Sequence, residues 1–285
     1  MQHHISDTNM QYAFLDEEAK KEIRRSILKA IAIPGYLVSF ASREMPMAKG
    51  WGTGGLQLTL SLINENDTLK VIDQGSDESV NALNLKNFIC ATTQTKTTTD
   101  TTEATLIQTR HRIPEESLES HQILIFQVPT PDVLEIVESD TAKAKQMHAH
   151  ADYAKLWVLL YEDTAILGDS RISNRYPVIV NNRYAMDPSP IPRYDTPKLN
   201  NSKALQLFGA GREKKIYAIP PYTQVEPLKF EDRAFRVESF DGNVCQRCGR
   251  GDVYLDVILD SSGKRQYFCS DTSYCDKTLA QREAQ

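Results

Sequence analysis

Residues 245–275 read CQRCGRGDVYLDVILDSSGKRQYFCSDTSYC and hold four of the five cysteines in the chain. The stretch opens with a CxxC turn formed by Cys245 and Cys248. In such a turn two thiolates converge on one ion, and the glycine that follows leaves room for backbone amides to approach sulfur. The turn therefore predicts the first half of a metal-binding site.

The second half of the site comes from the residues after this turn. Residues 253–259 and 266–268 predict two strands joined by a tight turn at residues 260–263. Such a hairpin returns Cys269 to the CxxC turn, and Cys275 follows in the same polar segment. We therefore expect all four sulfurs to meet.

The cysteine spacing leaves the identity of the metal open. Four cysteine ligands are typical of a structural zinc site that holds a small module together. Zinc ribbons generally close with a second short CxxC turn, however, whereas Cys269 and Cys275 are further apart in the chain. Three cysteines can therefore serve as ligands while the fourth stays a reactive thiol. The alternative to zinc is a three-cysteine iron–sulfur cluster, which leaves one iron open to another ligand.

Composition narrows the class of protein. The chain has 285 residues, 40% of them apolar, and a formal net charge of −5. These values exclude disordered and collagen-like classes and offer no general attraction to nucleic acid. The N-terminus has neither a basic start nor an apolar signal segment, and no apolar stretch reaches the roughly 20 residues that cross a bilayer. We expect a cytoplasmic protein, whose clustered cysteines bind a metal rather than form disulfides.

The remaining pattern predicts an α+β fold, with a mixed sheet built largely from hairpins and flanked by helices. A main domain is expected over residues 1–240 and a cysteine-rich module over residues 241–285. Helices are predicted over residues 16–33, 77–89 and 142–167. Strands are predicted over residues 56–62 paired with 69–72, 104–113 paired with 122–128, a hairpin within 175–186, and strands at 216–219 and 234–240.

Two short segments have the composition of a phosphate-binding site. Residues 50–55, GWGTGG, contain four glycines, so that Gly50 and its neighbours can offer backbone amides to an oxyanion or form a structural turn. Arg110 and His111 end a predicted strand, where a guanidinium beside an imidazole suits a phosphate. Strand alternation equally predicts that Arg110 and Arg112 share one strand face, with His111 on the other, and so permits a surface salt-bridge ladder of the two arginines. Gln127, inside an apolar run, is a weaker candidate because it can be a satisfied strand amide.

Several longer segments resemble one known family. They are IRRSILKAIAIPGY (23–36), REMPM (43–47), GWGTGG (50–55), KVIDQG (70–75), ATLIQTRHRIP (104–114), MDPSPIP (186–192) and LQLFGAGREKKIYAIPP (205–221). With the four-cysteine spacing, they closely resemble the J-subunit family of bacterial carbon–phosphorus lyase over nearly the whole chain. The resemblance implies radical cleavage of the carbon–phosphorus bond of an alpha-D-ribose 1-alkylphosphonate 5-phosphate. The implied products are an alkane, methane from a methyl group, and ribose 1,2-cyclic phosphate 5-phosphate.

The resemblance also implies cofactors and residue roles. Cys245, Cys248 and Cys269 would be the ligands of a [4Fe–4S] cluster whose fourth iron binds S-adenosylmethionine, with zinc able to replace the cluster in aerobic preparations. Gly35 matches the family's radical-bearing glycine, and Cys275 matches its thiyl cysteine.

Substrate contacts and partners follow from the same resemblance. Arg110, His111, Gln127 and Gly50 would bind the phosphorylated substrate. The family works in a multi-subunit core with an ATP-binding-cassette subunit, so a complex of that kind is implied here. The rival interpretation is a non-catalytic zinc-knuckle scaffold subunit.

Overall fold

The structure is a computed structural model that describes residues 37–39, 53–127, 134–150, 152–167, 178–182, 184–186, 194–210, 215–229 and 239–285. One large sheet organises these residues. Its strands are β1 Leu37–Ser39, β2 Thr68–Asp73, β3 Lys96–Thr97, β4 Leu106–Arg110, β5 Ile123–Gln127, β8 Leu205–Ala210 and β9 Lys215–Ile219. Their spatial order is β1-β9-β8-β5-β4-β2-β3.

The centre of this sheet is parallel. Strands β3, β2, β4, β5 and β8 all run in one direction, while β9 is antiparallel to β8 and β1 is antiparallel to β9. The fold is therefore mixed, as predicted, but the expectation of a sheet built largely from hairpins is wrong for its central strands. Parallel strands are covered on both faces, so they appear in the sequence as apolar runs rather than as alternating patterns.

The remaining elements are seven helices and two small sheets among the described residues. The helices are α1 Thr53–Leu62, α2 Val80–Thr93, α3 Leu134–Val137, α4 Thr141–Ala149, α5 Ala154–Leu167, α6 Thr196–Leu199 and α7 Thr272–Glu283. A three-stranded antiparallel sheet consists of β10 Val225–Pro227, β6 Val178–Val180 and β7 Tyr184–Met186. The C-terminal hairpin consists of β11 Leu255–Leu259 and β12 Arg265–Cys269.

A hydrophobic core lies on each face of the large sheet. On one face α1 and α2 pack against the central strands through residues that include Leu58, Leu85 and Ile89. On the other face Phe126 and Phe208 stack with ring centroids 5.5 Å apart, beneath the apolar side of α5. The sheet is thus the middle layer of a three-layer arrangement, which leaves its strand ends as the accessible edges.

Residues 56–62 form helix α1 and not the predicted strand. Leu58, Thr59 and Ser61 are all fully buried, and the Thr59 hydroxyl donates to the Gly55 carbonyl oxygen one turn earlier, at 3.1 Å. A helix that is buried around most of its circumference needs no amphipathic pattern, and its small polar residues bond within the helix. The alternation of leucine with polar residues therefore did not mark a strand.

Residues 104–113 and 122–128 contribute neighbouring strands, but β4 and β5 are parallel rather than antiparallel. The connecting loop carries the chain back to the start of β4 before β5 begins. There the Gln122 side-chain amide donates to the Ala104 carbonyl at 2.8 Å, and the Ile123 amide donates to the Thr105 carbonyl at 2.9 Å. These bonds fix the starts of both strands at one edge, so their carboxyl ends meet at the other.

The other predicted elements have mixed outcomes. Strand β9 and the β6–β7 hairpin are confirmed, and Asn181 and Asn182 adopt the positive φ values that their turn requires. The predicted helix over 142–167 is divided into α4 and α5, with the Asp152 carboxylate accepting from the Ala154 amide where α5 begins. The predicted helix over 16–33 and residues 234–238 lie outside the described residues.

Within the described part of the chain, no helix has both the length and the apolar character needed to cross a membrane.

The close contact between α1 and the sheet gives a test of the fold. Gly55→Ala should lower the free energy of unfolding by about 1–3 kcal/mol, because the added Cβ would lie 2.6 Å from Gln127 Cβ and 3.0 Å from Gln127 Cα. Urea unfolding followed by circular dichroism measures this change. Val80→Ala, at a side chain that is 74% exposed, is the control and should stay within about 0.5 kcal/mol of wild type. An unchanged unfolding midpoint for Gly55→Ala would contradict the packing of α1.

Candidate metal centre

The four C-terminal cysteines meet in one buried cluster, as the spacing predicts. Cys245 and Cys248 lie in the turn before β11, Cys269 ends β12, and Cys275 lies in the first turn of α7. All four Sγ atoms are within 4.8 Å of one another. The Sγ atoms of Cys248 and Cys269 are 3.4 Å apart, and those of Cys245 and Cys275 are 3.8 Å apart.

Local sequence explains why the cysteines converge. In the CxxC turn the Gly249 amide donates to the Cys245 carbonyl at 2.8 Å, and Gly249 has a φ of +76°, which favours glycine. The β11–β12 register places Cys269 opposite Leu255, beside that turn. The Asp271 side chain then caps α7 by accepting from the Tyr274 amide at 3.0 Å, so the helix begins in time to bring Cys275 into the cluster.

Cys245 differs from Cys269 and Cys275 in the direction in which its surroundings shift the pKa of its thiol. Burial opposes ionisation of Cys245, but backbone amides of Cys248, Cys269 and Arg247 donate to its sulfur and lower its pKa to about 6. The Cys269 amide lies 3.3 Å from that sulfur. Burial and the neighbouring thiols raise the pKa of Cys269, and they raise the pKa of Cys275 to about 12. Without a cation, ionisation is therefore more favourable at Cys245 than at Cys269 or Cys275, and a bound cation would favour ionisation of these two thiols as well.

Sulfur chemistry and spacing both suit a metal. Thiolates are the ligands that zinc and iron–sulfur clusters prefer. Four sulfurs placed tetrahedrally around one zinc ion, each about 2.3 Å from it, are about 3.8 Å from one another. The observed sulfur distances are close to that value. The cluster thus has the size of a site for a single ion, and a group of four irons would require the sulfurs to spread.

A row of polar side chains lies near the metal centre, at the carboxyl edge of the parallel sheet. Asp73, Arg110 and Gln127 are the last residues of β2, β4 and β5, and they are register partners. Nε and Nη2 of Arg110 donate to the two Asp73 carboxylate oxygens at 2.8 and 2.9 Å. Gln127 Oε1 is buried without a hydrogen-bond partner among the described residues. The parallel register brings together Arg110 and Gln127, which the sequence singled out separately.

The row of polar side chains lies at the point in the sheet where the strand order reverses. After β2 the chain adds β3 on one side of it and then β4 on the other, so β2 and β4 lie where the strand order reverses. Open parallel sheets bind ligands in the crevice outside the carboxyl ends of such strands. Helix α1 begins beside this edge, with Gly55 against Gln127. Gly35 and Gly50 lie outside the described residues.

His111 and Arg112 follow directly after Arg110, yet they do not continue the strand. His111 has a φ of +73° and turns the chain away from the sheet. Burial lowers the pKa of His111, and the charge of Arg110 lowers it further, so its imidazole is neutral at pH 7. A neutral imidazole can accept one hydrogen bond and donate another. The predicted ladder of Arg110 and Arg112 on one strand face is thus replaced by two arginines with different partners.

The cysteine module, residues 241–285, contacts the same sheet edge. The Ser270 hydroxyl donates to the Gln74 carbonyl at 2.6 Å, and the Tyr254 amide donates to a Glu115 carboxylate oxygen at 3.0 Å. Lys277 forms an ion pair with Asp100 at 3.1 Å.

These contacts place the metal centre beside the row of polar side chains, which the sequence did not predict. Sequence reasoning did not single out Asp73 or Gln74 as site residues, although both lie in KVIDQG, one of the segments that carried the family resemblance. That segment was the available signal for them.

Comparison with known proteins identifies the family of the chain. The family model described as phosphonate metabolism protein PhnJ matches residues 8–281. The chain is 55% identical over 265 residues to alpha-D-ribose 1-methylphosphonate 5-phosphate C-P lyase of Escherichia coli (strain K12), covering 93% of this chain and 94% of that protein. It is 54% identical over 274 residues to the C-P lyase of the same name from Rhizobium meliloti (strain 1021), covering 96% and 92%. The chain therefore belongs to the PhnJ family of phosphonate metabolism proteins.

Proposed function

We propose that this chain cleaves the carbon–phosphorus bond of an alpha-D-ribose 1-alkylphosphonate 5-phosphate during phosphonate use. The observation that carries the proposal is the placement of a four-cysteine centre beside an arginine at the carboxyl edge of a parallel sheet, in a member of the PhnJ family. The names of the two relatives supply the substrate class. The products are the alkane and ribose 1,2-cyclic phosphate 5-phosphate.

The polar row offers donors for the phosphate groups of this substrate. Arg110 uses two of its five N–H groups on Asp73, so the remaining donors are available while Asp73 fixes the plane of the guanidinium. His111 and Gln127 add neutral donors. The glycine-rich sequence from Gly50, whose first residues lie outside the described part of the chain, would add backbone amides in this proposal. We assign Arg110, His111, Gln127 and Gly50 to substrate binding on this basis.

The reaction calls for one-electron chemistry. An unactivated alkylphosphonate has no acidic proton and no good leaving group, so general acid–base catalysis is poorly matched to it. We assign Cys245, Cys248 and Cys269 as ligands of a [4Fe–4S] cluster, which when bound would supply the electron that cleaves S-adenosylmethionine. The chemistry of these ligands suits the cluster. Because Cys248 and Cys269 Sγ are 3.4 Å apart, binding the cluster would require the three ligand sulfurs to spread and Cys275 to leave the group of four.

Two residues of the chain carry the radical steps in this proposal. Gly35 would give up a hydrogen atom from Cα to the deoxyadenosyl radical that S-adenosylmethionine supplies, and the radical left on Cα is stabilised by two peptide groups and hindered by no side chain. The Gly35 radical would then take the thiol hydrogen of Cys275, and the resulting thiyl sulfur would bond to phosphorus as the carbon–phosphorus bond breaks. The released alkyl radical would take a hydrogen atom from Gly35 Cα to give the alkane, and the ribose 2-hydroxyl would displace the Cys275 sulfur as a thiolate to close the cyclic phosphate.

The proposal extends to organisation and partners. We propose that residues 1–240 form the mixed α+β main domain and that the cysteine module, residues 241–285, is a separate folding unit. Its own core of Val253, Leu255 and the four cysteines supports this division. We further propose that the chain works in the cytoplasm within a multi-subunit core that binds an ATP-binding-cassette subunit.

A second candidate function is supported by the spacing of the sulfurs. Distances of 3.4 and 3.8 Å suit one tetrahedral zinc ion, which would make the chain a zinc-knuckle scaffold subunit without catalysis. In that case all four cysteines would be equivalent ligands. The two candidates therefore differ in the role of Cys275 and in the metal.

Metal content separates the two candidates. Anaerobic reconstitution with iron and sulfide should give about four irons per chain, and Cys245→Ala should lose them together with the visible absorption of the cluster. Cys275→Ala should keep the iron, because this cysteine is not a cluster ligand in the proposal. Metal analysis and Mössbauer spectroscopy measure both. Cys90→Ala is the control, since Cys90 lies in α2, outside the cluster. One oxygen-stable zinc per chain, lost equally in all four cysteine variants of the cluster, would favour the scaffold.

Product formation tests the assigned radical residues. In the assembled anaerobic complex, Gly35→Ala and Cys275→Ala should each abolish alkane formation, by a factor of about 10³ or more, because each removes a group that takes part in bond breaking. Gas chromatography of the headspace measures the alkane. Lys203→Ala, which removes an exposed ion pair with Glu119, is the control and should retain wild-type activity. Alkane formation by Cys275→Ala at the wild-type rate would refute the assigned role of that thiol.

A further inference from the structure

We infer that Arg112 is a positioning residue that fixes the metal centre in register with the substrate site. The inference rests on the proposed function for its consequence in catalysis. Its structural basis is a set of contacts that join three parts of the molecule: the end of β2, the turn after β4, and the residues beside a cysteine ligand.

The guanidinium of Arg112 lies at the boundary between the sheet edge and the cysteine module. Its carbon is 3.4 Å from the ring centroid of Tyr254, within the range of a cation–π contact. Nη1 donates to the Gln74 carbonyl at 3.4 Å, to an Asp256 carboxylate oxygen at 3.1 Å, and to the Ser270 hydroxyl. One side chain thus contacts the residue after β2, strand β11 and the residue after β12.

The local backbone explains how Arg112 reaches these partners. A strand residue two positions after Arg110 would point to the same face of the sheet. The left-handed φ of His111 interrupts that alternation, and the Thr109 hydroxyl donates to the Arg112 carbonyl to close the turn. Arg112 therefore points to the module, while Arg110 remains on Asp73.

The contact to Ser270 links Arg112 to the metal ligands. Ser270 follows Cys269 in the chain, and its hydroxyl also donates to the Gln74 carbonyl. The packing is tight at this point, because a Cβ on Gly75 would lie 2.5 Å from Ser270 Oγ. A shift of Ser270 therefore moves Cys269 relative to Asp73 and Arg110. Misplacement of reacting groups by about 1 Å can cost about 10²-fold in rate.

Other contacts keep the module attached when Arg112 is lost. Lys277 pairs with Asp100, and the Ser273 hydroxyl donates to the Asp77 carboxylate, both from α7. The cysteines have their own buried core. Removing the Arg112 side chain should therefore shift the module while the cysteines still hold the metal. A residue that only supported the fold would instead lose the metal as well.

The first test measures the ratio of two products, alkane and deoxyadenosine. In the assembled anaerobic complex with iron and S-adenosylmethionine, Arg112→Met should keep the wild-type iron content and still form deoxyadenosine. Its ratio of alkane to deoxyadenosine should fall by about tenfold or more. Arg112→Lys keeps the charge near Asp256 but loses the planar stack on Tyr254, so its ratio should be intermediate. Arg265→Met, an arginine substitution at an exposed position of the same module, is the control and should keep the wild-type ratio.

The outcomes are distinct. A wild-type ratio in Arg112→Met would overturn the positioning role. A parallel loss of iron, deoxyadenosine and alkane would also overturn it, because support of the fold would explain all three losses. Absence of both products in the wild-type complex would instead count against the proposed function.

A second test does not depend on the reaction. Amide hydrogen exchange should accelerate at Tyr254, whose N–H donates across the boundary to Glu115, when Arg112 is replaced by Met. Exchange at Cys245, whose N–H donates to the Arg250 carbonyl inside the module, should not change. Mass spectrometry of peptides that separate these two amides measures the difference. Unchanged exchange at Tyr254, or equal acceleration at both amides, would contradict the inference.

Discussion

The parallel register of β2, β4 and β5 is the constraint on which the rest of this structure depends. It aligns Asp73, Arg110 and Gln127 at one edge of the sheet. An antiparallel pairing of β4 with β5 would place Gln127 at the opposite edge from Arg110. The glutamine amide of Gln122 at the start of β5 helps to fix this register, since it binds the Ala104 carbonyl where β4 begins. A site built from three strands thus depends partly on a hydrogen bond at their far ends.

The cysteine module is joined to this edge by polar contacts that involve buried groups. Gln74 accepts from Ser270, and Glu115 accepts from the Tyr254 amide. Such bonds contribute only about 1 kcal/mol each to stability, but leaving a buried partner unpaired costs more. These contacts therefore define the position of the module on the sheet edge more than they add to its stability. This suits a boundary that must fix the position of a metal centre while remaining able to adjust.

The sequence predicted the parts of the molecule whose pattern is local. The CxxC turn, the hairpin after it and the convergence of Cys245, Cys248, Cys269 and Cys275 follow from spacing, and the structure confirms them. Helix α1 was predicted as a strand because burial on most sides removed its helical periodicity. The direction of β5 relative to β4 depends on contacts that join distant residues, and a single sequence does not display these. For the same reason, the link from Arg112 to Ser270 had no sequence signal, since 158 residues separate them.

The four thiols connect the choice of metal to the chemistry. In the structure Cys275 Sγ lies within 4.8 Å of the other three sulfurs, and burial beside these neighbours raises its pKa. A single ion would use it as a ligand and so block it as a reactive group. An iron–sulfur cluster held by Cys245, Cys248 and Cys269 would leave Cys275 free of metal. Cys275 lies at the start of α7, whose side chains also contact Asp77 and Asp100 on the main domain. Under the proposed function, the metal in the module would therefore determine whether Cys275 serves as a structural ligand or is available to react with phosphorus.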